Sequence, residues 1–100
     1  MSLAAEDAKL VTLARATRAR TGAAEGAAIR DLDGRTYAAA TVDMASLQVS
    51  AIAVAVSMAV ASGSTGLEAV VLLTDEPTAS DRDLAVIAEF APSASVLVNP

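Results

Sequence analysis

The stretch that most constrains this chain is Thr41 to Gly63, TVDMASLQVSAIAVAVSMAVASG. From Leu47 to Ala61 only Gln48, Ser50 and Ser57 are polar. A segment apolar on every side has no face to turn to water, so it is expected at the centre of the molecule. Ile52, Val54 and Val56 alternate as a strand would. The length of the run and its interleaved alanines favour a helix, which the reading places over Leu47 to Ser62.

The flanking segments supply the layers around it. Ser2 to Arg20 reads as a helix. Ser2 is its candidate cap, Glu6 and Asp7 lie near the positive end of the dipole, and Leu3, Leu10, Leu13, Ala14 and Thr17 recur at helical spacing. Arg15, Arg18 and Arg20 fan out near the negative end as dipole partners on a wet face, and Gly22 ends the helix. Ala23 to Asp31 and Arg35 to Thr41 read as two strands. Asp33-Gly34 between them is a hairpin signal, because glycine accepts the positive φ of such turns. Tyr37 is expected to pack against a neighbour.

After the central helix, Gly63 to Gly66 turns the chain into Leu67–Thr74, LEAVVLLT, a near-continuous apolar run of the kind buried inside a mixed or parallel sheet. Ser80-Asp-Arg-Asp83 is a capping-box pattern that opens a helix from Asp81 to Phe90. Ser95 to Val98 is a last short strand. The element order is αββαβαβ in a single domain, residues 1–100. That order predicts an α/β fold, a three-layer α/β/α sandwich around a mixed sheet with helices on both faces.

Composition then removes whole classes of function. The chain has 100 residues, a net charge of −5, no cysteine and no histidine. Nucleic acid calls for a basic stripe, and an anionic membrane surface for basic residues, so neither partner is expected. The apolar run is interrupted by serines and is shorter than a bilayer span of about 20 residues. Met1 to Ala5 lacks the basic and apolar regions of a signal peptide, and a soluble cytoplasmic protein is expected. Disulfides, thiol nucleophiles, imidazole bases and Ser-His triads have no residues to form them. A conventional zinc site lacks its thiolate and imidazole ligands. Alanine-rich helices suit close subunit contacts, as they also suit a merely alanine-biased composition.

Five stretches resemble the small nucleoside cytidine deaminases over almost the whole chain. Gly26-Ala-Ala-Ile29 followed by Asp33-Gly34-Arg35-Thr36-Tyr37 is similar to that family's first hairpin. Thr41-Val-Asp-Met-Ala-Ser46 is similar to its N-V-E-N-A-S stretch. The helix that follows matches the family's T-I-C-A-E-R helix in place and character. Pro77 to Arg82 stands where the family has P-C-x-x-C-R, and Ala88-Glu-Phe-Ala-Pro92 resembles its A-E-F-A-P.

The resemblance implies the cytidine deaminase-like fold. It also implies metal-assisted hydrolysis, in which zinc lowers the pKa of its water and a glutamate shuttles protons. Carried over position by position, the first ligand falls on Ile52, the glutamate on Val54 and the two cysteines on Thr78 and Asp81, while the arginine is kept as Arg82. None of the four catalytic groups survives. The expectation is no catalytic residue, no metal and no cofactor, with Ile52 and Val54 turned into core. The sugar-binding pair of the family falls on Thr41 and Asp43, which can still hydrogen-bond and are equally a strand end and a helix approach. The family continues into a further strand, so this version reads as shortened.

The expected function is therefore that of a non-catalytic cytidine deaminase-like protein. It would be a homo-oligomer, dimer or tetramer, joined through the central helix Leu47–Ser62, and act as a scaffold or bind another protein. Two alternatives stand beside it: a nucleoside or other small-molecule binder at Thr41 and Asp43, and a divergent deaminase-type hydrolase. Asp75, Glu76, Asp81 and Asp83 form an acidic group that oxygen-loving Mg²⁺ or Ca²⁺ could use, or that simply caps a helix and keeps a loop wet.

Overall fold

A computed structural model describes residues 3–100. The order of elements is α1 (Ala5–Thr21), β1 (Gly26–Asp31), β2 (Thr36–Ala40), β3 (Val42–Met44), β4 (Leu47–Val49), α2 (Ala51–Ala61), β5 (Leu67–Leu73), α3 (Asp81–Phe90) and β6 (Ser95–Val98). The expected order holds with one insertion, the hairpin β3–β4.

The main sheet runs β2-β1-β5-β6. β1 is antiparallel to both β2 and β5, while β5 and β6 are parallel, so the sheet is mixed. Side chains alternate across it as strand geometry requires. Ala28, Ala69 and Val71 meet Leu10, Val11 and Ala14 of α1 on one face. Ala27, Ile29, Val70 and Leu72 meet Ile52, Val56 and Ile87 of α2 and α3 on the other. Three layers result, with β5 flanked on both edges and wholly apolar at its centre. Tyr37 is half-buried and packs against the α2 side of this core.

Small residues let the layers close. Gly26 is the clearest case: a Cβ there would overlap the Ala14 carbonyl oxygen and lie 2.7 Å from Arg18 Cβ, so α1 sits directly on β1. Gly34 takes φ 85° in the β1–β2 turn that Asp33-Gly34 signalled.

Three expectations are corrected. The first helix buries Leu10, Val11, Ala14 and Thr17, whereas Leu3 and Leu13 are 38% and 37% exposed. Val11, one turn from Ala14, takes the place assigned to Leu13. Ser2 lies outside the described residues; Ala4 stands at the cap position, with no side-chain cap.

The central helix does not begin at Leu47. Leu47–Val49 pairs with Val42–Met44 as the separate hairpin β3–β4, and α2 starts only after Ser50. Ser50 sets that boundary, because its hydroxyl accepts the Ala53 N–H at 3.1 Å and fixes the first turn.

Nor is α2 buried all round. Ala51, Ile52, Ala55, Val56 and Ala59 face the core, while Ser57, Ala61 and Val60 (53%) face outward. No helix among the described residues is long and apolar enough to cross a membrane.

Two polar ties hold the loops. Asp31, 0% exposed at the end of β1, accepts the backbone N–H groups of Asp33 (3.0 Å) and Arg35 (2.9 Å), Arg35 Nε (2.9 Å) and the Ser64 hydroxyl (2.5 Å). It thereby joins the first hairpin to the turn between α2 and β5. Burial pushes the Asp31 carboxyl up, but the Ser64 and backbone hydrogen bonds with the Arg35 charge outweigh it and hold the pKa below the ordinary value.

Asn99, just past β6, makes the second tie. Its N–H donates to Leu72 O (2.8 Å), its Oδ1 accepts the Thr74 N–H (2.8 Å), and its Nδ2 donates to Glu76 O (3.5 Å).

Candidate functional site

In this topology the starts of α2 and α3 come together beside the C-terminal ends of the parallel strands β5 and β6, the place where open α/β sheets bind ligands. Each helix is opened by a serine. Ser50 accepts the Ala53 N–H, and Ser80 accepts the Asp83 N–H, both at 3.1 Å.

The second half of the expected capping box is redirected. Asp83 does not turn back to its own helix start; its Oδ1 accepts the Ser50 hydroxyl at 2.6 Å, across 33 positions of sequence. One serine thus caps α2 and anchors α3 at once. Asp83 is 4% exposed.

Around this bond lies a cleft of about 190 Å³ lined by Gln48, Ser50, Ala53, Ser80, Arg82 and Asp83, with Val49 and Val86 as its apolar sides. β4 supplies Gln48 and Val49, the helix starts supply the polar groups, and α3 supplies Val86. The loop that delivers Ser80 is held at its root by Asn99.

Of the positions singled out in the sequence, Arg82 and Asp83 line this cleft, and the carried-over ligand, glutamate and sugar positions lie elsewhere. Ile52 is 0% exposed within the core, and Val54 is half-buried against it. Thr78 and Asp81 line a different, shallower cavity of about 380 Å³ with Glu25, Glu76 and Pro77. Thr41 and Asp43 do meet, in a cavity of about 300 Å³ with Thr21, Gly22, Ala23 and Ala24. The Thr41 hydroxyl is already engaged there: it accepts the Glu25 N–H at 3.0 Å and donates to Glu25 O at 3.4 Å.

The four acids of the α3 approach do not converge. Asp75 pairs with Arg18 at 3.3 Å, and Asp83 faces Ser50. Among the described residues no group of three or more His, Cys, Asp or Glu side chains is placed to hold a metal ion.

The candidate ligand groups at the helix starts are two hydroxyls and one carboxylate that already accepts a hydrogen bond from a hydroxyl. That set does not fit zinc, whose sites are built from thiolate, imidazole and carboxylate ligands. What the cleft offers is hydrogen bonding and charge: a carboxylate, a guanidinium, an amide and the unbonded N–H groups of two first helical turns.

Reading from sequence missed Ser50, Gln48 and the direction of Asp83. Ser50 and Ser80, each one residue before a helix, carried the available signal, because serine is favoured at caps. Nothing local shows that the two caps face one another.

A family model described as cytidine deaminase-like matches residues 3–100. The cytidine deaminase of Mycobacterium leprae is 23% identical, with a TM-score of 0.77, covering 91% of this chain and 86% of that one. The cytidine deaminase of Mycobacterium tuberculosis is 21% identical, with a TM-score of 0.78, covering 97% of this chain and 86% of that one. That of Burkholderia pseudomallei is 23% identical, with a TM-score of 0.78, covering 92% and 84% respectively. At these identities the likeness to the solved structures is one of fold. No match was found among curated protein sequences.

Proposed function

The chain belongs to the cytidine deaminase-like family, and from that premise we propose that it is a non-catalytic member working by assembly, as a homo-oligomeric scaffold or a partner-binding protein. The two-sidedness of α2 carries the reading. Where the family resemblance puts a metal ligand and a proton shuttle, this helix has Ile52, sealed in the core, and Val54, packed against it. Neither side chain can move a proton or hold a metal.

The opposite side of the same helix is open and uncharged. No charged residue occurs between Asp43 and Glu68. Val60 (53% exposed) on α2, and Met44 (53%) and Leu47 (49%), paired across β3–β4, are large apolar side chains left in water. A second copy placed on these side chains would remove apolar surface from water, although each chain carries −5 in total. A standard interface hides about 800 Å² per partner, roughly one seventh of the 5670 Å² surface.

Light scattering tests the assembly. A mass of two or four chains is expected, reduced to one chain by Val60→Glu. A single 10 kDa species at every concentration refutes it. Incubation with cytidine and zinc, followed by ultraviolet absorbance, tests the loss of catalysis. No conversion above a blank is expected, and turnover overturns that half of the proposal.

A further inference from the structure

Asp83 is a buried carboxylate without a countercharge. It is 4% exposed, yet none of the ion pairs among the described residues includes it. Buried charges are ordinarily paired, because a carboxylate loses several kcal/mol of hydration on leaving water. Part of that loss is met by the Ser50 hydroxyl on Oδ1 and by the positive end of α3, in whose first turn Asp83 lies. Oδ2 has no donor among the described residues, and it is not among the atoms sealed from solvent without a partner. Asp83 itself lines the cleft between the two helix starts.

The same cleft holds the opposite pole. Arg82, exposed, lines it beside Gln48 and Ser80. In the first α3 turn the Ser80 hydroxyl takes the Asp83 N–H, which leaves those of Asp81 and Arg82 without an intrahelical partner at the positive end of the dipole. At about 190 Å³ the space is below the roughly 300–1,000 Å³ of pockets for drug-sized ligands, too small for a nucleoside and large enough for an amino acid.

We propose that the cleft between the starts of α2 and α3 is a binding site for a small zwitterion, a short amino acid or its ω-amino homologue. The ammonium group bonds Asp83 Oδ2 and supplies the missing countercharge. The carboxylate faces Arg82 and the α3 N–H groups. A molecule with no net charge is not repelled by the −5 of the chain, and both of its ends find a partner. An anion alone leaves Asp83 unpaired, and a monocation alone leaves Arg82 unused. Of the residues concerned, Arg82 matches the arginine of the family's P-C-x-x-C-R and Asp83 matches none of its metal-ligand or proton-shuttle positions, and the inference is independent of the assembly proposed above.

Amide NMR titration of the protein in its native assembly, with glycine, β-alanine and γ-aminobutyrate, tests the site. Ethylamine and propionate are the single-charge controls. One zwitterion is expected to shift the amides of Ser50, Ala53 and Asp83 saturably, at least about tenfold more tightly than either control. Asp83→Asn keeps an acceptor for Ser50 and removes the charge, so it is expected to abolish the titration with the rest of the spectrum intact. Arg82→Gln, on an exposed side chain, covers the case in which Asp83→Asn does not fold, and is expected to erase the preference for the zwitterion over ethylamine. Absence of saturation by all three zwitterions, equal binding by ethylamine, or unchanged binding in Arg82→Gln overturns the proposal.

Discussion

Replacing Asp31 by asparagine probes the tie between the first hairpin and the α2–β5 turn. The two side chains have the same shape, so the change is one of charge and donor pattern. The new amide oxygen can keep the Asp33 and Arg35 backbone N–H groups. The new amide nitrogen then faces Arg35 Nε, now 2.9 Å from an oxygen, and a Ser64 hydroxyl that must rotate to accept. Two charge-assisted bonds are lost, worth about 1.5–3 kcal/mol each. Relief from burying a charge offsets part of this, and Arg35, 46% exposed, can turn to water. The net loss is about 2 kcal/mol, or roughly 10 °C in Tm for a domain of this size.

Urea unfolding at fixed protein concentration measures it, and acid supplies the sharper control. The folded-state pKa of Asp31 is depressed, so its contribution is complete above the unfolded value near 3.8 and disappears as the pH falls through the folded value. The gap between wild type and Asp31→Asn must be full at neutral pH and shrink in acid. Arg35→Met, which strips the cation from a carboxylate that stays buried, is expected to cost more, about 3 kcal/mol. The double variant is expected to cost less than the sum. A gap that persists unchanged into acid, or a loss below about 0.5 kcal/mol, refutes the reasoning.

Other changes test neighbouring parts of the structure. Gly26→Ala forces a Cβ against the Ala14 carbonyl and Arg18; a loss of about 1–3 kcal/mol in thermal or urea unfolding is expected from overpacking. Ser80→Ala removes a cap alone and is expected to cost about 1 kcal/mol. Ser50→Ala removes a cap and the Asp83 donor together, so its cost is expected to exceed that of Ser80→Ala by about 1 kcal/mol in the same assay. Oligomeric mass, deamination and zwitterion binding are tested as described above.

The fold was legible where sequence signals are local. Asp33-Gly34 marks a turn because only a small residue accepts φ 85° readily, and the apolar run from Leu67 marks a central strand because both of its faces are covered. The hairpin β3–β4 was not legible, for a specific reason. Its two-residue turn, Ala45-Ser46, does not use positive φ, since Asn99 is the lone non-glycine with that geometry among the described residues. The Asn-Gly type of signal is therefore absent, and Leu47-Gln48-Val49 reads as the front of the helix behind it.

The polar partners were hidden for another reason. Asp31 meets Ser64, and Ser50 meets Asp83, in each case 33 residues apart. Each of these residues also has an adequate local explanation as a cap or turn former. Motif correspondence pointed to Ile52, Thr78 and Asp81, but only the folded chain brings Ser50, Ser80 and Asp83 to one cleft.

The Asn99 clasp bears on the order in which the molecule can be completed during synthesis. Nearly every contact of α1, β1, β2 and α2 is available once β5 has emerged from the ribosome. The segment after β5 is different: Thr74 and Glu76 obtain their hydrogen bonds from a side chain that is translated 25 and 23 residues later. Until residue 99 is free of the exit tunnel, the approach to α3 has no fixed root, and Ser80 and Asp83 are not held against Ser50. The cleft is thus among the last features of the domain to set, because its α3 side waits on a residue that follows β6.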